Sequence, residues 1–405
     1  MEKRKVVITG IGAISPLGLS MEETWANLID GKNGVKELER FASEEYRAHK
    51  AGEVYGFDIN NFINDKNLKN IGLCSQFGVA AAKMALDNAN LKLTDTDRIG
   101  VVIGTTMGDV QELEKVDEDY FYKGIDAINP KSMLNYPANE IAKNIASVFG
   151  FYGPNNTFTT ACAAGNYAYG YAYDCIQDGT ADIMVAGGAD VLSRVAFAGF
   201  NRLFAVAPDV CQPFCLDRKG MMVSEGAAFL IMESEESAKK RGTKILAEFL
   251  GYALSCDAFD ITIPHEEGKG AIAVMSSAIK NAGIKTTDIN YINTHGTGTK
   301  ENDRVESLAI KEVFKEHSIK LSISSTKSML GHLMGASSAI EGAICVKVLQ
   351  ENIIPPTINF TTPDPDCDLD IVPNIAKKKQ VDFVMSNAFA FGGNNACIIM
   401  KKWEE

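Results

Sequence analysis

The sequence predicts an α/β fold with largely parallel sheets. Three observations predict it. Short apolar runs of strand length alternate with helical stretches along the whole chain. Reactive side chains recur where a strand gives way to a turn, the place where α/β proteins present ligands. No flexible linker or low-complexity tract interrupts the alternation. One composition break, near 250–270, divides the chain into an expected first half, 1–250, and a second, 251–405.

Taken in order, residues 5–9 form an apolar strand run that leads into Gly10-Ile11-Gly12. That GxG resembles a dinucleotide turn only weakly. Ser15 stands in place of a third glycine, Pro16 interrupts the turn, and no acidic residue closes a second strand at the expected distance. Residues 22–29 read as a short helix, 35–65 carry little regular signal, and 68–88 have a helical pattern in which Ala80, Ala81 and Ala82 allow close packing. A fully apolar strand spans 100–104. A solvated acidic helix is expected over 109–120, a loop over 126–137 and a helix over 138–149. Residues 156–160 are β-branched and aromatic, as in a strand, and 163–177 have helical length. Further strands are expected at 181–188, within 217–233, and at 245–254, 289–294, 321–326, 381–387 and 396–401. Helices are expected over 234–241, 268–282 and 303–315, and an Ala-rich one follows the turn at 327–332 and runs to Leu349.

Bulk properties narrow the function. The chain has 405 residues, 46% of them hydrophobic, enough for a large core. Forty basic residues against 52 acidic ones give a net charge of −12, and no basic stripe suits nucleic acid. Nine scattered cysteines without a CxxC pair support neither a disulfide framework nor a zinc site. Residues 1–5 run into a strand without an apolar signal core, and no stretch is long and apolar enough to span a membrane. A cytoplasmic location with reduced thiols is expected.

The chemistry centres on Cys162, in Thr159-Thr160-Ala161-Cys162-Ala163-Ala164-Gly165. Small residues crowd this strand-to-helix turn, as at a nucleophile elbow. The N–H groups and dipole of the following helix favour a thiolate there. Read alone, the turn serves equally well as a small buried cysteine in a packed helix. His295 opens a Gly/Thr loop with Thr297 and Thr299, which alone reads as a phosphate cradle or a tight turn. His332, between Gly331 and Leu333, alone reads as a capping or packed histidine. Of five histidines, these two lie at strand-end turns like that of Cys162, and the agreement counts for more than any one turn. Glu341 lies on a small-residue helix where burial demands a partner, and Lys327 is the natural candidate; a surface pair is the plainer alternative. The paired glycines of Asn387-Ala388-Phe389-Ala390-Phe391-Gly392-Gly393 suggest a gate or a close backbone approach to a ligand.

Together these stretches resemble the β-ketoacyl-acyl-carrier-protein synthase family of the thiolase superfamily. VITGIGAISPLG, TTACAAG, GGAD, EGAAFLIME, NTHGTGTKEND, STKSMLGHLMGASSAIE, PPTINF and FAFGG carry the resemblance in order over nearly the whole chain. They resemble the elongating branch with a Cys-His-His site, which includes synthase II and the type II polyketide ketosynthases. The resemblance implies a thiolase fold, two similar βαβαβ-type halves in five α-β-α-β-α layers. It implies that Cys162 accepts the acyl group, that His295 and His332 bind the malonyl thioester and drive decarboxylation, and that Lys327 and Glu341 support them. Thr297 and Thr299 would assist. The N–H groups of Cys162 and Phe391 would form an oxyanion hole, with Phe391 also gating. It further implies an acyl pocket touching Met107, Met133 and Leu134, and carrier-protein docking on Lys66, Lys69 and Arg202. Neither metal nor organic cofactor is expected. The expected partners are acyl carrier protein, acyl and malonyl thioesters, and a second copy in a homodimer or a chain-length-factor subunit in a heterodimer; nucleic acid and membrane are not expected. Such a subunit shares fold and length but typically lacks the nucleophile, which Cys162 supplies. Tyr167, Tyr169, Tyr171, Tyr173, Ser224 and Phe204 depart from the fatty-acid pattern, which makes specialised polyketide or polyene elongation at least as good a fit as fatty-acid synthesis.

Overall fold

The computed structural model describes residues 3–92 and 96–404, with the side chains of residues 66 and 67 outside the description. Its main sheet has ten strands: β1 Val6–Ile14, β2 Ile99–Gly104, β3 Asn155–Phe158, β4 Ile183–Asp190, β5 Gly226–Ser234, β6 Ala247–Cys256, β7 Tyr291–Asn293, β8 Ser322–Ser324, β9 Phe383–Phe389 and β10 Asn394–Lys402. The principal helices are α1 Met21–Ile29, α2 Leu73–Asn88, α3 Val110–Lys123, α4 Asn139–Phe149, α5 Ala164–Gln177, α6 Arg194–Arg202, α7 Lys269–Ala282, α8 Lys300–Phe314 and α9 Gly335–Glu351.

The strand order is β8-β7-β9-β10-β6-β1-β5-β4-β2-β3. Read outward from the middle, it is one pattern used twice. In the first five strands, β2 pairs parallel with β3 and β4, and β5 pairs antiparallel with β4 and β1. In the second five, β7 pairs parallel with β8 and β9, and β10 pairs antiparallel with β9 and β6. Within the sheet, the two five-stranded units are paired at Val6–Phe249, Val7–Glu248 and Ile8–Ala247. This short seam lets them fold over each other around a middle layer made by α5 and α9, whose contacts form the largest core cluster. Helices α2 and α4 cover the outer face of the first unit, and α7 and α8 that of the second, each over its own apolar core. The result is the five-layer arrangement of the thiolase fold.

Glycines explain several close approaches. Gly10 and Gly12 lie inside β1, not in a turn. A Cβ at either would sit 2.2 Å from the Ala85 carbonyl oxygen or 2.1 Å from that of Ala81, both on α2. The GxG is therefore a helix-packing groove on a strand, and it carries no phosphate loop. The register of β1 slips between Ile8 and Gly10, and the Asn88 side chain takes up the Ile11 N–H (3.0 Å).

Other departures from the sequence reading are local. The stretch 126–137 holds a one-turn helix, Ser132–Asn135, and Lys327–Leu330 forms its own short helix before α9 begins at Gly335. Strands β9 and β10 run closer together than expected, which leaves only residues 390–393 as the connecting turn. Helix α6 lacks an obvious sequence signal: its run RVAFAGFNR holds a mid-helix glycine, and it starts where the Ser193 hydroxyl caps the Ala196 N–H (3.2 Å). Tyr169 is fully buried in the middle layer, its hydroxyl donating to the Ala339 carbonyl (2.7 Å). Among the described residues, no helix is long and apolar enough to cross a membrane.

Candidate active site

Cys162 stands where β3 hands over to α5. Ala161 takes φ +47°, a conformation rare for a residue with a side chain, and a single 3-10 turn then leads into the helix. The helix start fits because Gly104 and Gly165 have no side chains. A Cβ on Gly104 would sit 2.1 Å from the Ala164 carbonyl carbon, and one on Gly165 would sit 2.5 Å from the Ala339 nitrogen of α9.

His332 reaches the same point from the second unit. Its N–H donates to the Met222 carbonyl (2.6 Å), and its own carbonyl accepts the Ser224 N–H (2.9 Å). Ser224 in turn donates its hydroxyl to the Gly52 carbonyl (3.0 Å). His332 Nε2 lies 3.1 Å from Cys162 Sγ. The opposite nitrogen, Nδ1, accepts the Met334 N–H (3.1 Å), with the Ser337 hydroxyl 2.8 Å away. A backbone N–H can only donate, so Nδ1 carries no proton and Nε2 does. His332 is thus set as a neutral N–H donor aimed at the cysteine.

His295 follows β7. Its ring lies edge-on to that of His332, with centroids 5.5 Å apart, and next to Phe389. Its backbone N–H and that of Gly296 donate to the Glu306 carboxylate on α8 (2.9 and 2.8 Å). Its Nδ1 is buried without a hydrogen-bond partner, so its ring is less tightly fixed than that of His332. Burial, with the Lys327 charge second, pushes both histidines well below their ordinary value, so both stay neutral.

Lys327 and Glu341 form a salt bridge with side chains only 2% exposed, so the pair is interior and not on the surface. Burial raises the Glu341 carboxyl, and the Lys327 ammonium opposes the rise. The Lys327 charge also acts on Cys162, where it favours the thiolate.

The thiolate expectation for Cys162 needs correction. Burial pushes the thiol up to about 11, and the opposing pull of Lys327 and of the backbone N–H groups of Cys162 and Phe391 does not overcome it. Both N–H groups act on the sulfur, so the backbone at 162 and 391 lies beside the reactive atom. The Cys162, His295 and His332 donor atoms lie within 4.8 Å of one another. By count they could ligate a metal, but the nearby ammonium of Lys327 has the wrong sign to favour a dication there.

A cleft of about 640 Å³ leads from solvent to this group. His295, Thr297, Thr299, His332 and Phe391 line it beside Cys162. The Thr297 and Thr299 hydroxyls lie 2.9 Å apart. Phe391 packs against Phe200 (centroids 6.0 Å), and the glycines after it, at φ +82° and +73°, give its turn a backbone suited to a hinge. Arg47, Lys219 and Lys300 stand at the mouth beside exposed Leu203, Phe204, Ile261 and Ile263.

Other expected site residues stand apart. Met107 is half-buried on the loop after β2, and Met133 and Leu134 are exposed; none lines the cleft. Arg202 is exposed at the end of α6, next to lining residues Leu203 and Phe204, while Lys69 lies away from the lining. The Lys66 side chain lies outside the described residues. Sequence reasoning missed Glu306, Arg47, Lys219 and Lys300. A carboxylate on the apolar face of α8, between Val305 and Ala309, was the one available signal for Glu306.

Comparison with known proteins matches this architecture along its length. The β-ketoacyl synthase N-terminal domain matches residues 3–238, and the β-ketoacyl synthase C-terminal domain matches 246–361. The chain is similar to the 3-oxoacyl-[acyl-carrier-protein] synthase 2 of Synechocystis sp., at 39% identity over 100% of this chain and 99% of that one. The Staphylococcus aureus (strain N315) synthase 2 is also 39% identical, with the same coverage. Among solved structures, the ishigamide ketosynthase/chain length factor superposes with a TM-score of 0.96 at 40% identity, covering 99% of this chain and 100% of that one. A type II polyketide synthase ketosynthase, solved with its acyl-carrier protein and bound to the hexaketide, gives 0.92 at 33% identity, with 100% of each chain covered. Matched in both halves by the two domains of a single family, and over its full length by named synthases, the chain belongs to the β-ketoacyl synthase family.

Proposed function

We propose that the chain catalyses a decarboxylative Claisen condensation between an acyl group held on Cys162 and a malonyl thioester carried by an acyl carrier protein. The observation that carries this reading is the 3.1 Å contact between Cys162 Sγ and a His332 nitrogen whose proton is fixed by the Met334 N–H. In the first half-reaction, the Cys162 sulfur attacks the acyl thioester and the carrier thiol leaves. In the second, the N–H groups of His295 and His332 hydrogen-bond the malonyl thioester oxygen while CO2 departs. The resulting enolate attacks the acyl-Cys162 carbonyl, whose oxyanion is held by the N–H groups of Cys162 and Phe391. Collapse releases the Cys162 sulfur and a β-ketoacyl carrier protein two carbons longer. Neutral histidines suit this task, since they donate hydrogen bonds without needing a proton from solvent.

The nucleophile-bearing half is placed at 1–250 and the histidine-bearing half at 251–405. Arg47, Lys219 and Lys300, with Arg202 nearby, are the basic contacts offered to an acidic carrier; Asp257, Asp260 and Glu301 share the cleft lining, so the attraction rests on these single contacts and not on a net positive mouth. The solved relative with a chain length factor supports a two-chain assembly. Here it would form at β3, the last strand of the sheet, with the exposed Met133 and Leu134 of one copy closing the acyl side of the other near Met107. A second copy of the chain is the expected partner and a chain-length-factor subunit the alternative. The reaction is placed in the cytosol, within fatty-acid or polyketide chain assembly.

The test is incubation with acyl- and malonyl-carrier protein, with mass spectrometry of the carrier. A β-keto chain two carbons longer, and blockage by a cerulenin adduct on Cys162, are expected. Absence of both product and adduct would favour a noncatalytic chain-length-factor role and sink the proposal.

A further inference from the structure

Asp190 ends β4 in the first unit, fully buried, yet it bonds to the second. Its carboxylate accepts four hydrogen bonds. One oxygen takes the Thr105 hydroxyl (2.8 Å) and the Met107 N–H (3.1 Å); the other takes the Thr106 N–H (2.7 Å) and the Gly335 N–H (2.6 Å). The carboxylate thus ties the loop after β2 to the first residue of α9. There is no slack at that junction: a Cβ on Gly335 would lie 2.6 Å from the Thr106 nitrogen and 2.7 Å from the Asp190 oxygen. Immediately before Gly335, Met334 is held at φ +54°, ψ −124°, a conformation that a side-chain-bearing residue keeps only when its surroundings impose it. The N–H of this same Met334 donates to His332 Nδ1.

We propose that Asp190 is a positioning residue for His332: by gripping the Gly335 N–H it holds the Met334 peptide in its strained form, and that peptide's N–H keeps the His332 proton on Nε2, facing Cys162. Release of the grip lets Met334 relax to negative φ and turns its N–H away from Nδ1. The proton then distributes between the two ring nitrogens, with Ser337 able to accept it on the Nδ1 side. The same carboxylate holds Thr106 and Met107, so the loop beside the expected acyl pocket and the histidine tautomer share one anchor. Asp190 touches no reacting atom, and the inference rests on the condensation reading only for its kinetic part.

The test is ¹⁵N NMR of the full chain labelled at its five histidines, with the His332 signals identified by their absence from His332→Ala. The unaltered protein should show a pure Nε2–H pattern for His332. Asp190→Ala should give a mixture of tautomers and lower kcat for malonyl decarboxylation about tenfold, the loss of one well-placed hydrogen bond, with KM changed less than about twofold. Asp190→Asn should restore the pure pattern. Its amide oxygen can keep the two N–H groups of Thr106 and Gly335, while its NH2 faces the Thr105 hydroxyl, which can turn to accept; the Met107 N–H loses its acceptor, but the grip on Gly335 is kept. An Asp190→Ala protein that folds and keeps a pure Nε2–H signal overturns the proposal. Asp190→Ser, too short to reach Gly335, carries the same test if the alanine variant does not fold. Failure of both to fold, with Asp190→Asn folded, would make Asp190 a structural cap and overturn it too. The tautomer is read without turnover, so an error in the assigned reaction would show as an absent product with the NMR result unaffected.

Discussion

Replacing Lys327 by Met tests the buried ion pair in both its structural and its chemical role. Methionine keeps most of the length of the side chain and removes the charge, leaving Glu341 in a site where both partners are 2% exposed. Breaking such a pair from one side costs about 3–5 kcal/mol. The carboxylate can escape by taking up a proton. From an ordinary value of 4.5, this costs about 5 kcal/mol at pH 8 and about 2 kcal/mol at pH 6. The destabilisation should therefore be largest at alkaline pH and shrink on acidification. With about 2.1 cal/mol/K of unfolding entropy per residue, 405 residues give about 0.85 kcal/mol/K, so Tm at pH 8 should fall by about 4–6 °C. The double variant Lys327→Met/Glu341→Leu removes the orphaned carboxylate and should regain most of that loss. It should not regain decarboxylation, because the charge acting on Cys162, His295 and His332 is still missing. That charge depresses both histidines, so the acid limb of the decarboxylation profile should move to higher pH in single and double variants alike. Calorimetry at two pH values, with CO2 release from malonyl-carrier protein, reads all of this. A single variant within about 1 °C of the parent at pH 8, or a double variant with full activity, would refute the reasoning.

Four further outcomes follow from the same geometry. Cys162→Gln should abolish elongation yet release CO2, since the amide can occupy the oxyanion hole; adding His332→Ala should slow that release by about 10²–10³-fold, and rapid release without either histidine would sink their roles. Gly10→Ala forces a Cβ toward the Ala85 carbonyl at 2.2 Å and should cost about 1–3 kcal/mol of stability, a packing role that an unchanged Tm would disprove. Because both histidines are held below their ordinary value of 6.5, the unfolded chain binds protons there before the folded one does. Their contribution is thus present above that value and lost as pH falls through it toward the folded value. His332→Asn should lose less urea resistance than the parent between about pH 8 and about pH 5.5; parallel curves would contradict the assignment. Arg47→Glu and Lys300→Glu should raise KM for carrier-bound substrate but not for a small thioester, and equal effects on both would remove these residues from carrier docking.

The sequence made the reactive groups legible because they sit at strand ends among small residues. Cys162, His295 and His332 converge as their turns suggested, and the Lys327–Glu341 pair could be anticipated because a carboxylate among Ala and Gly must find a partner. The groups that position them were harder to read. Asp190 bonds to Thr105, 85 positions away in its own unit, and to Gly335, 145 positions away in the other. Glu306 acts through backbone N–H groups, and these leave no mark in sequence. The GxG misled because glycine gives the same signal in a turn as under a crossing helix. Only the position of α2 decides between them. The turn left Cys162 open as an activated nucleophile or a buried cysteine; only the assembled layers show that burial outweighs the helix dipole and keeps the thiol protonated.

Cys162 follows β3 and His332 follows β8, and these strands occupy the same place in the two five-strand units. Cysteine and hydrogen-bonding histidine thus share one structural address, filled differently in each repeat. Duplication followed by fusion would supply such a pair without any new architecture: one useful side chain at that address becomes two, facing each other. Divergence at one address then creates a division of labour, with cysteine on one side and histidine on the other. The helices that start just after these residues touch where Gly165 meets Ala339, so the reaction centre lies on the contact between the two units. Each repeat is free to drift on its outer faces, but a methyl group added at this contact would alter the spacing between the Cys162 sulfur and the His332 N–H. The contact between the units is also the measuring edge of the enzyme.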